Sequence, residues 1–69
     1  MKDHPPHTPG YTGVLAELGT RFDLAASCGW DAGLGCFIAE AYRAGQLVYR
    51  ASAPTDLEAL AGLAAELEQ

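Results

Sequence analysis

Two strand-forming runs about a glycine turn constrain this chain most. Cys36–Arg43 reads CFIAEAYR, 46–52 reads QLVYRAS, and Ala44-Gly45 between them turns the chain. A hairpin is marginal in water unless something packs on it, so the flanking segments must cover a face. Downstream, Pro54 breaks the strand. Thr55-Asp56-Leu57-Glu58 then matches a capping box: the Thr55 hydroxyl accepts from the third helical amide while Glu58 reaches back. Leu57, Leu60, Ala64 and Leu67 recur at spacings of three and four, and Leu63 widens the stripe. A helix over 56–68 is predicted. Asp56 and Glu58 suit its positive end; Glu66 and Glu68 lie at its negative end.

Upstream of the hairpin the period changes twice. Residues 1–8, MKDHPPHT, read as a flexible leader. Thr8-Pro9 reads as a helix start with Thr8 as N-cap, and Thr12 is a second candidate cap. Tyr11, Val14, Leu15 and Leu18, extending to Phe22, form one apolar stripe, and Gly19 is the natural stop. This predicts a helix over 9–19. In FDLAASCGW at 22–30, Leu24, Ala26, Cys28 and Trp30 alternate with other residues, which fits a strand. The rival is a short helix over 21–28. The strand is preferred because the hairpin needs a partner. Asp31-Ala32-Gly33 supplies the turn.

The predicted fold is α+β in the order αβββα: a three-stranded antiparallel meander with both helices packed on one face. Residues 9–69 form a single domain. A three-residue loop, Arg43-Ala44-Gly45, would put Phe37, Ala39 and Ala41 on one face with Leu47, Tyr49 and Ala51, the predicted core. The other face would hold Cys36, Ile38, Glu40 and Tyr42 with Val48, Arg50 and Ser52, and Glu40 would pair diagonally with Arg50. A two-residue loop would regroup these sets and place Glu40 in the core at a cost of several kcal/mol. The odd loop is therefore expected. Ile38, Tyr42 and Val48, with Trp30 as a candidate neighbour, would leave the second face apolar inside a rim of Glu40, Arg43 and Arg50, which marks a binding surface. The leader or a second copy of the chain is the alternative cover.

Charge and cysteine content narrow the function classes. Four Lys and Arg stand against nine Asp and Glu, a formal net charge of −5. That balance opposes general nucleic-acid binding, which rests on neutralising phosphates, and suits a protein partner with a basic surface. No apolar run reaches the ~18 residues of a membrane span, and no secretory signal is expected at the start. A cytoplasmic protein with reduced thiols is expected from two cysteines and no signal. Cys28 and Cys36 lack metal-ligand spacing, and His4 and His7 flank no helix, so no metal or cofactor is expected. A disulfide would need the two carrying strands to be adjacent.

No catalytic constellation stands out. Asp23, Asp31 and Glu40 fall on turns and an open sheet face. The nucleophile candidates Ser27, Ser52, Cys28 and Cys36 have no histidine near them in sequence. So small a core leaves hardly any room for a pocket of ~300 Å³.

The αβββα order resembles the double-stranded-RNA-binding domain. That family grips phosphates with a Lys-rich start to its last helix; the matching stretch here, Thr55-Asp56-Leu57-Glu58, is acidic, which removes the RNA function and leaves shared topology. The short reading frame from Met1, the acidic balance and the unpatterned Cys28 and Cys36 resemble the phage-encoded inhibitors called anti-CRISPR proteins. The resemblance implies stoichiometric blocking of a CRISPR effector, at its DNA-binding surface or at a subunit contact. The expectation is a non-enzymatic inhibitor of a nucleic-acid-handling complex. Asp56, Glu58, Glu66 and Glu68 would supply charge, and Ile38, Glu40 and Tyr42 would supply the sheet surface. A homodimeric structural or regulatory module acting through that sheet face is the alternative.

Overall fold

The computed structural model describes residues 6–69. The elements are α1 (Tyr11–Phe22), β1 (Ala25–Asp31), β2 (Cys36–Arg43), β3 (Gln46–Ala53) and α2 (Asp56–Leu67). The strands form an antiparallel sheet in the order β1-β2-β3. The αβββα meander is thus the architecture, and 22–30 contributes a strand rather than the rival helix. Alternation along β2 decides the layering: Phe37, Ala39 and Ala41 are buried, while Ile38, Glu40 and Tyr42 are half-exposed. Leu18 of α1 and Ala59, Leu60 and Leu63 of α2 pack on that buried set. Both helices therefore lie on one face of the sheet. Ala39 and Ala41 have no exposed surface, and their small side chains let the helical layer approach closely.

The hairpin keeps Phe37, Ala39, Ala41 and Ala51 on the helix side and Glu40 with Arg50 on the other, as expected, by another route. The loop has two residues, not three: Arg43 pairs with Gln46 across Ala44 and Gly45, and both loop residues have positive φ, 55° and 79°. Such a reversal matches the twist of the strands it joins. The register then shifts between Ala41 and Tyr42, so that Leu47 faces Tyr42, Tyr49 faces Ala41, and Val48 is the extra residue of a β-bulge. Without the bulge, Arg50 would face Ala39 and enter the core. With it, Ala51 and Ala53 take the helix side and Arg50 stands directly opposite Glu40. The cost of burying a charge is avoided by inserting a residue in the strand, not in the loop. Leu47, expected in the core, lies opposite Tyr42 and is 45% exposed. Trp30 departs from expectation too: it packs on the helix side, edge-on to Phe37 at 5.2 Å between ring centres.

The first helix also differs at both ends. It begins at Tyr11, after Gly10 with φ 91°, and receives no side-chain cap. Thr8 is not its N-cap, because the Thr8 hydroxyl is engaged elsewhere. The helix runs through Gly19 to Phe22, and Asp23 takes the left-handed position at φ 54°, its N–H donating to the Gly19 carbonyl. Gly19 matters for closeness instead of conformation: a Cβ there would sit 3.1 Å from the Leu24 carbonyl oxygen. The second helix ends at Leu67, one residue short of expectation. Thr55 accepts from the Glu58 amide at 3.2 Å, so the threonine half of the capping box is formed.

Candidate functional site

Each face of the sheet carries one polar cluster, and the two clusters do different work. On the helix side the centre is Asp56, the first residue of α2, whose side chain is 1% exposed. It was expected as a surface charge for a partner and is instead internal. Thr8 donates to it twice, from its backbone N–H to Oδ2 at 2.7 Å and from its hydroxyl to Oδ1 at 2.6 Å. The Leu57 N–H donates to Oδ1 at 2.7 Å, and His7 Nδ1 lies 3.0 Å from Oδ2. Burial by itself pushes this carboxyl upward; the bonds from Thr8, His7 and Leu57 outweigh it and hold the group down to about 2. The imidazole of His7 stacks on Tyr11 at 3.8 Å, and the Tyr11 hydroxyl donates to the Cys28 carbonyl at 3.1 Å. Asp56 thus ties the N-terminal segment to α2, and Tyr11 ties α1 to β1. His7 and Thr8 belong to the folded unit, which therefore begins before residue 9; residues 1–5 of the expected leader lie outside the described residues.

The cysteines face opposite ways. Cys28 pairs with Ala39 on the helix side, and Cys36 pairs with Asp31 on the other. Both are free thiols, and their opposed directions prevent a bond between them although their strands are adjacent. Burial, then the nearby Asp56 charge, pushes the Cys28 thiol up to about 11, so it is not a thiolate nucleophile at neutral pH. Among the described residues no three His, Cys, Asp or Glu side chains converge as metal ligands would, and no helix among them is long and apolar enough to cross a membrane.

The second face of the sheet is uncovered by any helix and holds the other cluster. Arg50 donates from Nε and Nη2 to Glu40 Oε2, at 3.1 and 2.7 Å, and the Tyr42 hydroxyl donates to Oε1 at 2.9 Å. These bonds from Arg50 first, then Tyr42, lower the Glu40 carboxyl. Both oxygens are occupied and the charge is paired, so Glu40 is a structural acceptor and not a free base. Ile38 and Tyr42 flank it along β2, Leu47 stands opposite Tyr42, and Leu34, 69% exposed, shares a depression with it. A depression of about 440 Å³ opens at the pair, lined by Ser27, Gly29, Asp31, Leu34 and Ile38 together with Glu40 and Arg50. Sequence reasoning left no room for a hollow of that size because it counted only the core; this one lies on the outer face, where a mid-strand glycine was the available signal. Arg43, expected on the rim, reaches instead to the Phe22 carbonyl at 3.0 Å.

The structure therefore brings Ile38, Glu40 and Tyr42 together and separates them from the acids of α2. Glu58 and Glu66 are exposed on the helical layer. Glu68 pairs with Arg21 at 2.8 Å, joining the C-terminal ends of the two helices. Compared with protein-family models, curated proteins and solved structures, the chain has no match.

Proposed function

We propose that this chain is a non-catalytic binding protein that docks through the open face of its sheet on a basic or subunit-contact surface of a nucleic-acid-handling complex and inhibits it. One observation carries this reading. Both helices occupy the same face, leaving Ile38 and Tyr42 half-exposed and Leu47 and Val48 exposed beside an ion pair whose charges cancel. A sheet face that sets apolar side chains on either side of a neutralised ion pair suits a protein partner. The net charge of −5 favours a partner of opposite sign and speeds its encounter. Glu58 and Glu66 add to that field from the helical layer, while the contact itself falls on the sheet. A basic surface of this type is what such a complex offers to phosphate, so covering it by a CRISPR effector-like route blocks nucleic acid without any reaction.

The experiment compares three chains on immobilised supports: wild type, Ile38→Asp and Glu58→Lys/Glu66→Lys. Each is challenged with host-cell lysate across a salt series. A retained partner that Ile38→Asp releases, and that loses nucleic-acid binding in a mobility-shift assay when wild type is added, is the expected result. A partner retained equally by Ile38→Asp, or one that still holds its nucleic acid, overturns the reading. Light scattering that shows a dimer dissolved by Ile38→Asp assigns the face to a second copy instead.

A further inference from the structure

Gly29 sits in the middle of β1, directly opposite Ile38. Glycine weakens a strand interior, so its presence there needs a reason. Conformation supplies none, since Gly29 is not among the residues with positive φ. Packing supplies none either: a Cβ built at Gly29 would meet no atom within 4 Å. A side chain there would instead project into the depression that Gly29 lines on the open face. A strand glycine that neither conformation nor internal packing requires is the setting in which a ligand can approach the backbone closely.

The depression has two unlike sides. Leu34 and Ile38 border it with hydrocarbon, and Leu34 is held in place because the Asp31 side chain accepts from its N–H at 3.0 Å. That bond uses Asp31 Oδ1; no described residue donates to Oδ2. Glu40 and Arg50 bound the opposite end but neutralise one another. The net charge on the three groups is therefore that of Asp31 alone, and it is negative. An occupant that satisfies both sides carries a flat apolar group beside a cation.

We propose that this depression is the anchor point for a peptide segment of a protein partner, with an aromatic side chain laid over Gly29 between Leu34 and Ile38 and an adjacent Lys or Arg on Asp31. The inference rests on the sheet-face reading above and narrows it to one pocket and one ligand chemistry. Aromatic anchors in desolvated hollows dominate protein interfaces, and a cation on the free carboxylate oxygen supplies direction.

The test uses the full chain, uniformly labelled with nitrogen-15, titrated with three blocked dipeptides at millimolar concentration: Ac-Trp-Lys-NH2, Ac-Trp-Glu-NH2 and Ac-Ala-Lys-NH2. The expected result is saturable movement of the Ser27, Gly29, Leu34 and Ile38 amides with the Trp-Lys peptide, and at least tenfold weaker binding of the other two. Gly29→Val projects a side chain into the hollow from a position where a Cβ meets no atom within 4 Å, so its Tm stays level or rises while affinity for the Trp-Lys peptide falls at least tenfold. Asp31→Asn abolishes the preference for Lys over Glu. Unmoved amides, equal response to the Ala-Lys peptide, or undiminished binding by Gly29→Val overturns the proposal. Movement of the same amides with protein concentration alone also overturns it, because a second copy then fills the site. If the peptide fails while Ile38→Asp still releases a partner, the sheet-face reading stands and only the anchor is lost.

Discussion

At neutral pH the Asp56 carboxylate is ionised and hidden from water, so its charge is balanced by the donors of Thr8, His7 and Leu57 and by the positive end of α2. Its folded value of about 2 lies below the ordinary 3.8. As pH falls, the unfolded chain takes up this proton first, so stability present above the ordinary value is lost between about 3.8 and 2. Glu40, lowered by Arg50, acts in the same sense. Urea midpoints measured from neutral to acidic pH should therefore fall through this window in wild type. Asp56→Asn should begin lower and fall less, and the difference between the two curves isolates Asp56. A difference that does not change with pH contradicts the assignment. In sequence, Asp56 is indistinguishable from Glu58: both are acids in the first turn of a helix. Only the return of Thr8 from 48 residues away separates the buried one from the exposed one.

Helices and turns were legible where their signals are local. The capping threonine, the alternation of β2 and the glycine turn all depend on neighbours within a few residues, and each is found where its pattern lies. The ends of α1 were not, because Gly19 offers two readings, a left-handed stop or a close contact. The contact reading has a direct check. Gly13 has no atom within 4 Å of a built Cβ, whereas Gly19 meets the Leu24 carbonyl at 3.1 Å. Gly13→Ala should stabilise by up to ~1 kcal/mol from helix propensity; Gly19→Ala should lose that gain and lower the urea midpoint. The hairpin loop gives a second prediction at this scale. Ala44 holds φ 55°, a conformation that Asn tolerates better than Ala. Ala44→Asn should raise stability by about 0.5–1 kcal/mol without altering the hairpin cross-peaks in NMR spectra. Loss of those cross-peaks would show that the loop is not the two-residue reversal described.

Across the whole molecule the core is narrow, resting on Leu18, Phe37, Leu60 and Leu63 with alanines between them. A domain of this length has a stability of roughly 3–10 kcal/mol. Leu60, with no exposed surface, touches the centre of that core, and Leu60→Ala should cost about 2–5 kcal/mol. Each kcal/mol lowers Tm by about 4–8 °C in so small a domain, so calorimetry should find the variant's Tm lowered by roughly 8–40 °C. By contrast, Ile38→Asp on the open face should cost only about 1 kcal/mol of strand propensity, a Tm loss of about 4–8 °C, while changing what the molecule binds. A large loss of Tm in that variant would mean the face is part of the core.

Element type, element order and the assignment of one apolar stripe to each helix followed from the sequence, because periodicity, turn chemistry and capping act over a few residues. The bulge at Val48, the burial of Asp56 by Thr8 and His7, and the hollow above Gly29 were decided by tertiary structure. Each depends on which distant residue stands opposite. In the hairpin, the energy argument excluding charge from the core was sound, yet an extra residue in either the loop or the strand satisfies it equally. Only the assembled sheet, with two helices to be packed and a carboxylate to be kept against Arg50, selects between them.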